Sequence, residues 1–141
     1  MPLYLNREEL SWAAGLYTGE GTMGLGRNGS KTVRLKLSLQ MTTEHDVRRF
    51  WGAVGSLGKV NGPHDRTKWC ARAKPLYKYE VCNFEQIQAV IALLWFKLGD
   101  TKKRQAADAL NSFNAYPHRR RKRSHSTIHP PEILLRAPEG V

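Results

Sequence analysis

The stretch Ala13-Ala14-Gly15-Leu16-Tyr17-Thr18-Gly19-Glu20-Gly21 decides how this chain reads. It leaves an apparent helix through small residues and sets one carboxylate, Glu20, between two glycines. Small side chains let two helices approach closely, and a carboxylate at the end of such a helix is a hard oxygen ligand suited to a divalent cation. Two readings stand at this point. Either the small residues pack the helix against its own sheet and Glu20 is a turn residue, or they join two copies and Glu20 is a metal ligand.

Toward the N-terminus, Asn6 followed by Glu9 has the form of an N-cap with its reciprocal partner, and Leu5 and Leu10 are spaced as a staple. The first helix therefore starts near Arg7 and runs to about Thr18. Gly19 and Gly21 end it, because glycine leaves helical angles without steric penalty. A short strand, Thr22 to Arg27, leads into Asn28-Gly29, a strong hairpin signal. The next strand has the clearest period in the chain. Val33, Leu35, Leu37, Leu39 and Met41 point one way, and Arg34, Lys36, Ser38 and Gln40 point the other.

A second helix begins after Thr42 or Thr43, with Glu44 and Asp46 in the first turn, where they suit the dipole. Val47, Phe50, Trp51 and Val54 form its apolar stripe, and Gly55 or Gly58 ends it. Lys59-Val60-Asn61 reads as a brief strand, followed by a polar loop, a further strand within Trp69 to Ala73, and the alternating Tyr77-Lys78-Tyr79-Glu80-Val81. These segments are expected to pair as a second hairpin. A third helix spans Phe84 to Leu98, with Phe84, Ile87, Ile91, Leu94 and Trp95 toward the core, and Gly99-Asp100 separates it from a fourth over Lys102 to Phe113. The order α-β-β-α-β-β-α-α describes one α+β domain over residues 1–115. From Tyr116 onward Pro, His, Ser and Arg dominate without a usable period, so residues 116–141 are expected to form a flexible basic tail.

Formal charge is +11, from 23 Lys and Arg against 12 Asp and Glu. Five cations form the run Arg119 to Arg123, yet residues 1–115 alone carry 17 basic and 10 acidic side chains. That balance points to a polyanionic partner, a nucleic acid or an anionic membrane surface. Ile87 to Leu98 is the longest apolar segment, but it contains Gln88 and Lys97 and is too short to span a bilayer. Met1 to Arg7 lacks the cationic start and apolar run of a secretory leader. Cys70 and Cys82 are too few for a disulfide framework or a Cys-rich zinc site. Reduced thiols and an intracellular setting are expected, without a choice among organelle, nucleus and bacterial cytoplasm.

Cutting a phosphodiester needs an oriented water, charge stabilisation on the phosphate and help for the leaving oxygen. Divalent ions held by carboxylates supply these, and a lysine can assist as a point charge or proton handler. Glu20 is the acid sited at a helix end beside a sheet with a cationic face. One carboxylate is a weak metal site. Two, brought together by a two-fold axis, suffice when phosphate oxygens and waters complete the shell.

Ala13 to Gly21 resembles the signature of the LAGLIDADG homing endonucleases, and the likeness in element order extends over residues 8 to 113. It departs at Ala13, where the signature has Leu, at Tyr17, where it has Ile, and at Thr18, where it has its first Asp. The resemblance implies a single-motif fold, helix-hairpin-helix-hairpin-helix-helix, with a curved antiparallel four-stranded DNA-binding sheet. It implies a homodimer joined through the signature helices, with Ala13, Ala14, Tyr17 and Thr18 at the interface. The activity implied is site-specific, Mg2+-dependent cleavage of double-stranded DNA at a long, partly palindromic site, leaving staggered ends, in intron homing. Glu20 takes the place of the metal-binding catalytic acid and Gln40 that of a polar residue bordering the active centre. Lys102 takes that of the lysine opening the closing helix, with Lys103 as the alternative. Glu44 stands where the family sometimes has a basic residue, which implies altered geometry or a side chain turned away. A non-cleaving DNA-binding regulator, or an RNA-binding splicing cofactor on the same fold, is the second reading.

Recognition is expected from the polar sheet face. Arg34, Lys36, Ser38 and Gln40 can reach base edges, with Arg or Lys to guanine and Gln to adenine as the favourable pairings. Thr22, Gly24 and Asn28 share that face from the first strand, Lys59 and Asn61 from the third, Lys78 and Glu80 from the last. Arg27, Lys31, Arg66, Lys68 and Arg72 lie at turns or edges, better placed for phosphates.

Overall fold

Asn6 opens the first helix as its spacing predicts: Oδ1 accepts the N–H groups of Glu8 at 2.8 Å and Glu9 at 3.2 Å. Glu9 does not reciprocate. Its carboxylate takes both ends of the Arg49 guanidinium, at 2.9 and 2.7 Å, and that guanidinium lies 3.9 Å from the centroid of Trp12. The expected capping pair is thus replaced by a tie between the first two helices.

The computed structural model describes residues 5–28 and 32–115. The order is α1 (Arg7–Glu20), β1 (Gly21–Asn28), β2 (Thr32–Met41), α2 (Glu44–Ala53), β3 (Lys59–His64), β4 (Leu76–Val81), α3 (Phe84–Leu94), a 3-10 turn (Trp95–Lys97) and α4 (Asp100–Asn114). The strands form one open antiparallel sheet in the order β1-β2-β4-β3, the expected helix-hairpin-helix-hairpin-helix-helix architecture.

Alternation along β2 sets the two layers. Leu35, Leu37 and Leu39 are buried; Met23 and Val81 opposite Leu37 and Tyr79 opposite Leu39 are buried with them, whereas Leu25 opposite Leu35 is exposed. The helices cover this face with Leu10, Ala13, Ala14 and Tyr17 of α1, Val47 and Phe50 of α2, Ile87, Val90, Ile91 and Leu94 of α3, and Ala106, Ala109 and Phe113 of α4. Phe50 sits between two tyrosines, stacked on Tyr17 at 6.5 Å and edge-on to Tyr79 at 4.9 Å. The other sheet face carries the polar residues, and among the described residues no helix lies over it.

Four expectations require correction. The segment Trp69 to Ala73 is a series of turns, not a strand, because its carbonyls and N–H groups bond locally: Trp69 and Cys70 N–H to Arg66 O, Ala73 N–H to Cys70 O. The third helix stops at Leu94 and tightens into the 3-10 turn, which leaves Trp95 exposed rather than in the core. α4 begins at Asp100 rather than Lys102, with Gly99 as its N-cap. α1 continues through Thr18 to Glu20, so Glu20 ends a helix and does not sit in a turn. The basic tail expected over 116–141, with Arg119 to Arg123, lies outside the described residues. Among the described residues no helix is long and apolar enough to cross a membrane.

Candidate active site and nucleic-acid face

Glu20 is exposed, and the chain turns into β1 immediately after it. Gly21 makes the turn possible through space, not through unusual backbone angles. Its φ of -77° and ψ of 154° are ordinary extended values, but an added Cβ would lie 2.1 Å from Cδ2 of Tyr17. The Tyr17 ring therefore packs flush against the α1–β1 junction, and the Gly21 N–H donates to the Tyr17 carbonyl. Burial pushes the Tyr17 hydroxyl well above the usual phenol range, so it stays protonated.

The start of α4 is fastened to this junction twice. The Thr18 hydroxyl donates to Ala14 O at 2.7 Å and accepts the Gly99 N–H at 3.1 Å, while the Lys102 ammonium donates to the Gly21 carbonyl. Gly99 fits because an added Cβ would lie 2.7 Å from the Thr18 methyl. Both charged residues oppose their own helix dipoles: an acid closes α1 at its negative end, and a lysine sits in the first turn of α4 at its positive end. Tertiary packing brings the two unfavourably placed charges to one junction. Lys103 turns away, its ammonium 5.4 Å from the Trp95 ring centroid. Of the two lysines left open by the sequence, Lys102 is the one bonded to Gly21, the residue after Glu20.

Gln40 is exposed on the outer sheet face, one residue beyond Leu39, which pairs with Gly21. Glu20, Lys102 and Gln40 thus share one end of the sheet. The outer face continues from them in cross-strand rows. Thr22, Ser38, Glu80 and Lys59 form one row, and Gln40, Lys78 and Asn61 another; Gly24 lies opposite Lys36 and Gly26 opposite Arg34. Glu80 is the acidic centre of this cationic surface, with Oε2 at 3.1 Å from both Lys36 and Lys78. Burial works against its ionisation, but the two lysines prevail and hold its carboxyl below the usual range. Among the edge cations, Lys68 and Arg72 are exposed, whereas Arg66 donates to the Lys74 carbonyl. Arg27 and Asn28 end β1 opposite Val33 and Thr32, and Lys31 lies outside the described residues. Glu44 pairs along its own helix with Arg48 at 2.9 Å.

The expected pairing surface needs revision residue by residue. Ala13, Ala14 and Tyr17 are 0% exposed and face the chain's own core. Thr18 is exposed, though its hydroxyl serves Ala14 and Gly99. The outward side of α1 instead carries Gly15 and Gly19, where an added Cβ would meet nothing within 4 Å. Gly15 and Gly19 are among the small residues of the stretch, and helical spacing from Leu10, Ala13, Ala14 and Tyr17 puts them on the bare side.

Among the described residues no group of three or more His, Cys, Asp or Glu stands together. The donor chemistry nonetheless suits magnesium, which binds through one or two carboxylates and takes its remaining ligands from phosphates and water. Glu20, exposed at the end of α1, offers one carboxylate of that type.

No protein-family model matches the sequence, and no curated protein matches it. Solved structures do. The chain is similar to the homing endonuclease I-CvuI in complex with its target in the presence of calcium, at 18% identity over 74% of this chain and 65% of that one, with a TM-score of 0.59. It is similar to the LAGLIDADG homing endonuclease I-GzeII in complex with a DNA target, at 16% identity over 94% and 42%, TM-score 0.57. The group I intron-encoded homing endonuclease I-CeuI complexed with DNA matches at 14% identity over 84% and 61%, TM-score 0.58. The chain spans less than two thirds of the length of each. At these identities the likeness is one of architecture: this chain has the fold seen in LAGLIDADG homing endonucleases.

Proposed function

We propose that the protein is a metal-dependent, site-specific double-strand DNA endonuclease that works as a homodimer. The observation that carries this reading is the junction of Glu20 and Lys102 at one end of a polar, cationic sheet face. Duplex DNA lies along that face, with its phosphates drawn by the net positive charge and its base edges within reach of Arg34, Lys36, Ser38 and Gln40. Glu20 would hold magnesium, which when bound would supply charge neutralisation on the scissile phosphate and acidify the attacking water. Glu20 anchors that centre, Gln40 orients the water through its amide, and the Lys102 ammonium faces the departing oxygen as a point charge.

Gly15 and Gly19 support self-association. Two glycines inside a helix cost about 2 kcal/mol relative to alanine, and a single chain offers no steric reason for either. A second copy packed against that side gives one, since bare backbone allows close interaxial approach. The two-fold axis then brings a second Glu20 to the first, and the target is correspondingly near-palindromic.

The test is magnesium-dependent linearisation of plasmids carrying a randomised target library by the full chain. Wild type linearises a subset; Glu20→Gln abolishes cutting while DNA affinity stays within about tenfold, because the lost interaction acts on the transition state. A Glu20→Gln protein cutting at the wild-type rate overturns the assignment. Selective retention of duplex or structured RNA without cutting would establish the non-cleaving regulator or splicing cofactor instead.

A further inference from the structure

Residues 65–75 join β3 to β4 and carry four cations, Arg66, Lys68, Arg72 and Lys74, against one acid, Asp65. The loop is ordered by its own bonds. Arg66 closes the neck, donating Nε and Nη2 to the Lys74 carbonyl at 3.4 and 3.1 Å. The N–H groups of Trp69 and Cys70 donate to Arg66 O at 3.0 and 3.2 Å, and Thr67 N–H donates to Asp65 Oδ1 at 2.8 Å. On this frame Trp69 is 81% exposed, about twice any other exposed large apolar side chain among the described residues. No aromatic or cationic side chain among them stacks on its ring, and Lys68, Arg72 and Lys74 form no ion pair among them.

The position of the loop is set by register. His64 pairs with Leu76 next to the Met41–Tyr77 and Gln40–Lys78 pairs, so the loop leaves the sheet at the end occupied by Glu20 and Gln40. It lies three strands across from β1, roughly 14 Å in the plane of the sheet.

We propose that this loop is a stacking contact for DNA. Trp69 lays its indole on an unstacked base of the strand whose phosphates Lys68, Arg72 and Lys74 hold. The cations fit a polyanion, and a large aromatic beside them fits a base, because every base offers a π-face and stacking needs no hydrogen-bond code. Order within the loop lowers the entropy lost on binding. An acidic protein surface would satisfy the lysines but give the indole no comparable face. The proposal rests on the DNA-binding reading above and names a contact outside the paired sheet face.

The experiment is fluorescence anisotropy of the full chain and its variants with an oligothymidylate single strand, a mixed-sequence duplex and an oligouridylate strand, across a salt series. Trp69→Ala should weaken oligothymidylate binding roughly tenfold to a hundredfold without changing the salt slope, and Trp69→Phe should restore most of it. Lys68→Ala and Arg72→Ala should each flatten the slope by about 0.7 on the single strand. Trp69→Ala binding within twofold of wild type on both DNA probes overturns the stacking contact while the DNA-binding reading stands. Wild type binding neither DNA probe overturns both. A Trp69-dependent preference for oligouridylate above tenfold overturns DNA as the occupant in favour of RNA.

Discussion

The ammonium of Lys102 donates to the carbonyl of Gly21, the residue directly after Glu20, across a sequence separation of 81 positions. The bond favours Lys102 as the lysine of the proposed site, since the Lys103 ammonium lies 5.4 Å from the Trp95 ring centroid instead. In the proposed endonuclease, Lys102→Met should slow magnesium-dependent linearisation by about a hundredfold or more, in the range of a lost proton-handling or point-charge group, while Lys103→Met changes it by less than about threefold. Initial rates on one cleavable plasmid separate the two. Equal losses from both would mean that the ammonium position is not what matters.

The glycines of the signature stretch have opposite reasons for being glycine. At Gly21 an added methyl would enter the Tyr17 ring, so Gly21→Ala should destabilise the chain by about 1–3 kcal/mol, the usual range for overpacking. Gly15→Ala and Gly19→Ala meet open space and should each stabilise the isolated helix by about 1 kcal/mol. The same two substitutions should weaken self-association by widening the helix contact. Urea melts paired with sedimentation velocity read both effects, and a double Gly15→Ala, Gly19→Ala protein that dimerises as wild type would remove α1 from the interface.

Thr18 connects α1 to α4 through one hydroxyl, donating to Ala14 O and accepting the Gly99 N–H. Thr18→Val keeps the shape and leaves that N–H without its acceptor, at a cost of about 1–2 kcal/mol. Thr18→Ser retains the hydroxyl and should keep most of the stability. A thermal melt of the three proteins decides it; Ser falling while Val holds the wild-type stability would make the methyl, not the bond, the important part.

Glu80 restrains the surface it sits in. Glu80→Gln frees Lys36 and Lys78 from their shared oxygen, so nonspecific duplex affinity should rise and the salt dependence steepen by about one unit of log K against log salt. Anisotropy with a mixed-sequence duplex measures both, and an unchanged slope would show that the lysines do not reach phosphate.

The same residue gives a pH signature. Its carboxyl is held below the usual range in the folded chain, so its stabilising contribution is full above the unfolded value of about 4.3 and disappears as pH falls through the lower folded value. Being a surface network, it contributes less than about 1 kcal/mol. The difference in melting temperature between wild type and Glu80→Gln should therefore shrink on acidification below that range and stay constant above it.

What the sequence determined by itself is local. Alternation in Val33 to Met41 defined the buried and polar faces of β2, because strand side chains must alternate whatever surrounds them. Asn6 started α1, and the helices at Val47 and Ile87 declared their core faces through spacing. Tertiary structure decided what depended on distant partners. Glu9 matched a capping pattern but found Arg49, forty positions away, and a bidentate guanidinium outweighed a backbone N–H. Trp69 to Ala73 resembled a strand until Arg66 gathered its backbone bonds locally. Ala13 to Gly21 spans both cases. Its composition alone marked a close-packed helix ending in an acid, but Tyr17 and the two alanines turned inward because the core is deep enough to bury them. That rotation leaves Gly15 and Gly19 outside, and packing of α4 across the junction brings Lys102 to Gly21, the residue after Glu20.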